Sequence, residues 1–141
     1  MQLGEKQLLK VVKKVEFGVY LGEEDSEERV LLPIKQVPEN IQVGDGLEVF
    51  LYKDSKDRLI ATTREPAVTL GQIAKLPVKE VTKIGAFLDW GLEKDLFLPF
   101  KQQTHRVHPG EECLVGLYTD KSGRLCATMK VYPYLKTQSP Y

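Results

Sequence analysis

Aromatic and basic side chains recur together through the second half of the chain: Phe87 and Trp90, then Phe100 and Lys101, then Arg124 and Lys130. That mixture suits one kind of work. Bases of a single strand stack on aromatic faces at about 1–3 kcal/mol each, while cations track the phosphates. Phe87 and Trp90 bracket what reads as a strand, Phe100 and Lys101 follow the next one, and Arg124 and Lys130 read as part of the last. The competing reading is that Phe87 and Trp90 only cover barrel surface. Catalysis has less to build on. No serine, histidine and acid stand in a recognisable arrangement, no glycine-rich loop opens a helix, and no carboxylate pair is placed as in a pocket. His105 and His108 share a loop without a third ligand at a metal-binding spacing. Cys113 and Cys126 form no Cys-x-x-Cys pair. No catalytic residue, metal or cofactor is therefore expected.

The elements that must hold these residues occur twice. Sliding the 141-residue sequence by 66 places LLPIKQ (residues 31–36) on FLPFKQ (97–102) and DRLIATT (57–63) on GRLCATM (123–129). Residues 30–64 give 13 identities in 35 positions against the second copy, where chance gives only about two. A slide of 67 pairs Leu9 with Leu76, Val11 with Val78 and Gly18 with Gly85. Two copies of this length mean two small domains, 1–66 and 67–141, because a solenoid needs about three stacked units. The cysteines then explain themselves. Cys113 takes the place of Leu47 and Cys126 that of Ile60, both apolar barrel positions, so they read as core fillers.

Leu47, Val49 and Leu51 alternate with Glu48, Phe50 and Tyr52, as do Cys113, Val115 and Leu117 with their neighbours, which is the period of a half-buried strand. Earlier strands read as 11–17, 19–21 and 30–34, and in the second copy as 78–84, 86–90 and 95–99. Gly18 and Gly85 interrupt strand patterns, where glycine marks a bulge or a sharp bend. After Pro33 and Pro99 the pattern lapses for about ten residues, room for one helical turn before the fourth strand. Five short strands with that interruption predict an all-β chain of two tandem five-stranded OB-fold barrels.

The formal net charge is zero, with 28% charged and 42% hydrophobic residues, the balance of a soluble globular protein. The halves differ. Residues 1–66 hold ten basic against thirteen acidic side chains, and 67–141 hold ten against seven. Much of the excess lies in Glu23, Glu24, Asp25, Glu27 and Glu28, which read as a solvated hairpin tip or as a device that repels nucleic acid. No apolar run reaches the roughly 18–20 residues of a membrane span, and the start lacks a cleavable apolar segment, so a cytoplasmic location is expected.

Phe17-Gly18-Val19-Tyr20 and Ile84-Gly85-Ala86-Phe87, Val43-Gly44-Asp45, and the Asp-x-x-x-Arg pattern from Asp54 to Arg58 resemble S1 RNA-binding domains in both halves. The paired Leu-Pro-x-Lys-Gln blocks and Arg58-Leu59-Ile60-Ala61-Thr62-Thr63 are similar to the amino-terminal part of the conserved virulence factor B (CvfB/YitL) family of bacteria. That resemblance implies single-stranded RNA as partner, a role in post-transcriptional regulation of virulence-type gene expression, and further S1-like and winged-helix domains in a full-length chain. Carried over by position, it implies an RNA face of Phe17, Tyr20, Asp54 and Arg58 in the first half and Phe87, Asp120 and Arg124 in the second. Trp90 and Lys101 join them on the chemistry above. Ile84 replaces the first aromatic, and Pro33 and Pro99 stand where the family has histidine. Asp54 and Asp120 either cap tight turns or orient the arginines four residues on. A scaffold whose OB faces bind protein is the other reading, favoured by the zero net charge and the missing histidine.

Overall fold

The computed structural model describes residues 1–54 and 56–131. They fall into two units that divide between Glu65 and Pro66. In the first, β1 (Lys6–Val15), β2 (Gly18–Gly22), β3 (Val30–Pro33), β4 (Gly46–Lys53) and β5 (Leu59–Thr62) close a barrel in the order β1-β2-β3-β5-β4. The second holds β6 (Ile73–Val81), β7 (Gly85–Leu88), β8 (Leu96–Pro99), β9 (Glu112–Thr119) and β10 (Leu125–Thr128). Their order, β10-β9-β6-β7-β8, is the same, and the sheet curls until β10 lies alongside β8. Both are five-stranded OB-type barrels, as the repeat and the strand count predict.

The first strand of each unit is the hinge of this topology. Residues 6–10 of β1 pair with β4 and residues 10–15 with β2, with a register shift between Val11 and Lys13. In β6 the same shift falls between Val78 and Glu80. The sequence places that irregularity at Gly18 and Gly85, and the structure moves it into the preceding strand. It also starts β1 five residues earlier than the apolar pattern does. Only Leu9 and Val11 of β1 are buried, so the lysine-rich outer face hides the alternation.

Gly18 and Gly85 are needed for a different reason. A Cβ on Gly18 would lie 2.1 Å from the Leu32 carbonyl oxygen, and one on Gly85 2.6 Å from that of Leu98. The third strand passes too close for any side chain. Val19 and Leu21 then point inward with Val30, Leu32, Val49 and Leu51 to fill the first core, and Val78, Leu88, Leu98, Val115 and Leu117 are buried in the second unit. Cys113 and Cys126 are buried free thiols, as core fillers should be.

The repeated Leu-Pro-x-Lys-Gln and Ala-Thr blocks have a structural role. After Pro33 and Pro99 come the single 3₁₀ turns Ile34–Gln36 and Phe100–Gln102. Gln36 Oε1 accepts from Thr62 Oγ1 at 2.6 Å and Thr63 N at 2.8 Å. Gln102 Oε1 accepts from Thr128 Oγ1 at 2.7 Å. Thr62 and Thr128 are buried, so these bonds satisfy hydroxyls that would otherwise cost stability and tie the turn to the last strand.

Candidate nucleic-acid interface

Four of the predicted residues come together in the first unit. Phe17 sits just before the tight approach at Gly18 and is 55% exposed. Tyr20, between inward-facing Val19 and Leu21 on β2, meets it edge to face with ring centroids 6.2 Å apart. Leu31 stands opposite Tyr20, and Ile60 opposite Leu31. With Leu59, Asp54 and Arg58 they line one open groove of about 400 Å³. A groove lined by aromatic rings and a guanidinium can take unpaired bases and a phosphate.

Asp54 performs both tasks considered for it. Its Oδ1 accepts the backbone N–H groups of Lys56 and Arg58, capping the hairpin, and its Oδ2 accepts Arg58 Nε at 3.0 Å. Partial burial pushes its carboxyl upward, but the bonds from Arg58 and Lys56 outweigh burial and hold it below the ordinary 3.8. Asp57 takes the left-handed conformation at φ 61° within this hairpin, where Gly123 stands in the second.

The second unit builds its platform differently. Ile84, in the place of Phe17, is 64% exposed and offers no ring. The second ring comes from the neighbouring strand instead. Phe97 is the cross-strand partner of Phe87, with centroids 5.2 Å apart and planes inclined by 35°. Phe97 occupies the position of Leu31, so the aromatic lost at one corner is regained at another. Sequence reasoning missed it. Its signal was the Leu-Phe-Leu-Pro alternation of β8, which buries Leu96 and Leu98 and leaves Phe97 half-buried.

Asp120 holds its own hairpin together. Its Oδ1 accepts from Ser122 N, Ser122 Oγ and Arg124 N, and its Oδ2 from the Cys126 thiol at 3.6 Å. Burial raises this carboxyl, and those bonds outweigh it to keep it below the ordinary range. Burial and the Asp120 charge push the Cys126 thiol up to about 11, so it stays protonated and inert near neutrality. Arg124 is exposed in the hairpin turn, one residue before β10.

Trp90 must be moved from the face to the core. It is 2% exposed, lies two residues beyond β7, and donates its indole N–H to the Lys94 carbonyl at 2.6 Å. A ring with both faces packed has none to offer a base. Lys130 likewise lies past β10 rather than on it, and Lys101 is exposed in the 3₁₀ turn after β8. Two cations went unnoticed in the sequence. Lys13 and Arg29, with Val12 and Tyr20, line a second groove of about 350 Å³. Arg29 closes the acidic run, and its guanidinium is anchored on the Ser26 and Glu28 carbonyls at 2.7 and 2.8 Å. The same run is partly neutralised within the unit, Glu23 by the Met1 amino group at 2.6 Å and Glu24 by Lys10. His105 bonds Glu111 at 2.6 Å, and no cluster of three or more metal-ligating side chains occurs among the described residues.

Two OB-type barrels, each with a pair of facing rings, Phe17 and Tyr20 in the first and Phe87 and Phe97 in the second, and each with an Asp-x-x-x-Arg hairpin before its last strand, define a tandem OB fold. The chain belongs to the S1 domain family, which matches residues 3–64 and again 70–130. It is similar to "Uncharacterized protein YitL" of Bacillus subtilis, with 30% identity over 132 residues, 93% of this chain and 41% of the relative. It is also similar to "Conserved virulence factor B" of Staphylococcus saprophyticus, with 25% identity over 64% of this chain and 32% of the relative. These are the relatives to which the Leu-Pro-x-Lys-Gln blocks point, and the chain spans less than half of their length. A crystal structure of a multidomain protein with nucleic acid binding domains from Streptococcus pneumoniae shares the fold, with a TM-score of 0.77, 21% identity, and coverage of 96% of this chain and 48% of that one.

Proposed function

We propose that this chain binds single-stranded RNA without catalysis, as part of a bacterial cytoplasmic regulator of virulence-type gene expression that carries further S1-like and winged-helix domains. One observation carries the reading: Phe17, Tyr20, Asp54 and Arg58, separated by up to 41 positions in sequence, line a single groove. Stacking on Phe17 and Tyr20 accepts any base, and Arg58, oriented by Asp54, takes a phosphate. In the second unit the paired rings of Phe87 and Phe97 supply the stacking, and Arg124, at the position of Arg58, supplies the cation. No helix among the described residues is long and apolar enough to cross a membrane. The streptococcal neighbour, described as having nucleic acid binding domains, supports the polymer class. Matches to a protein called a virulence factor and to YitL support the setting.

The basic excess of residues 67–141 gives the second unit the larger electrostatic share. In the full chain, Arg124→Gln is expected to weaken binding of a fluorescent oligoribonucleotide more than Arg58→Gln. It should also shallow the salt slope by roughly 0.7, the value for one phosphate contact on a single strand. Titrations at several salt concentrations measure both effects, and a larger loss from Arg58→Gln would reverse the assignment. A protein-binding scaffold is the second reading, favoured by the exposed Ile84 and the zero net charge. Absence of oligoribonucleotide binding at low salt would select it.

A further inference from the structure

We propose that the second unit holds one additional nucleobase, of the kind that bears an exocyclic amine, in the loop after β8. This rests on the single-strand reading above. Phe100, Gln103, Thr104, His105 and Arg106 line a small pocket of about 220 Å³ there. Arg106 lies over the Phe100 ring, 4.7 Å from its centroid. His105 forms a fixed wall, because Glu111 takes its Nε2 at 2.6 Å and the His108 N–H at 3.1 Å. Gln103 donates its amide N–H to the Leu98 carbonyl at 3.3 Å, which orients the side chain. Its Oε1 is buried with no donor, and such an acceptor costs stability until something donates to it.

The first unit is an internal control. At the corresponding positions it carries Ile34, Val37, Pro38, Glu39 and Asn40, and Val37 packs against its core. Only the second copy puts a ring, a guanidinium and an unpaired amide oxygen into this loop. A base can displace Arg106 from the ring, since an exposed cation–π contact is weaker than base stacking. The freed guanidinium then meets the phosphate. The exocyclic amine of adenine, cytosine or guanine supplies the donor that Gln103 Oε1 lacks; uracil has no such amine and offers only its ring N3–H.

The test compares oligo-adenosine with an oligomer of purine riboside, which differs only by lacking the amine. The unmodified chain should bind oligo-adenosine roughly three- to tenfold tighter, the worth of one hydrogen bond. Gln103→Val, which installs the residue of the first unit, should bind both oligomers equally and melt no lower than the parent. Equal binding by the unmodified chain overturns the pocket whatever the variant does to folding. So does persistence of the preference in Gln103→Val. Failure to bind either oligomer would instead overturn the single-strand reading on which the pocket rests.

Discussion

Replacing Phe87 and Phe97 together by alanine is expected to cut the affinity of the full chain for single-stranded RNA by about thirtyfold or more. Each ring offers a stacking face worth about 1–3 kcal/mol, and 1.4 kcal/mol is a factor of ten. The two rings are cross-strand partners 5.2 Å apart, so a strand crossing β7 and β8 meets both. The salt slope should stay nearly unchanged, because no phosphate contact is lost. Both side chains are half-buried, so some loss of packing accompanies the truncation. Phe87→Leu with Phe97→Leu separates the effects by keeping apolar cover and removing the aromatic faces. Full affinity in that leucine pair would show that the rings serve packing alone.

Trp90→Ala is expected to act on stability. The indole is 2% exposed and its N–H is bonded to the Lys94 carbonyl. Truncating a buried tryptophan costs about 3–5 kcal/mol, and the orphaned carbonyl adds to that. In a domain of this size each kcal/mol lowers the melting temperature by about 4–8 °C, so melting should fall by roughly 12 °C or more. Trp90→Phe should fall between the alanine variant and the parent, since it keeps most of the volume. Unchanged melting with lost RNA affinity would return Trp90 to the binding face.

Phe87 and Trp90 show where the sequence is legible. Both are aromatics near the same short strand, and composition gives them equal claims. Alternation distinguishes faces only while the strand lasts. β7 ends at Leu88, so the phase counted from Phe87 has lapsed by Trp90, and the turn sends the indole inward. Phe97 was hidden for another reason. It replaces a leucine of the first copy, and its meeting with Phe87 depends on register between strands, which no spacing along the chain displays.

What repeats was easier to read. The duplication, the five strands per copy and the identity of the cysteines as core all follow from pairing one half with the other. Gly18 and Gly85 were marked as special, but the cause, a carbonyl of the third strand where a Cβ would lie, is a tertiary contact. Gln36 and Gln102 looked like family signatures. They are clamps on threonines 26 residues away, and only a closed barrel brings such partners together. Lys13 and Arg29 escaped notice because net charge of −3 over residues 1–66 concealed which cations share a groove.

The central claim, that single-stranded RNA lies across the ring-bearing faces of both barrels, is tested most directly by following backbone amide resonances of the full chain. A short oligoribonucleotide and the corresponding duplex are added in separate titrations. The predicted result is that only the single strand shifts resonances, chiefly of residues 17–20, 31 and 54–60 in the first unit and 84–87, 97 and 120–126 in the second. Shifts confined to the outer face of β1 around Leu8 and Lys10, or equal shifts with the duplex, would contradict it.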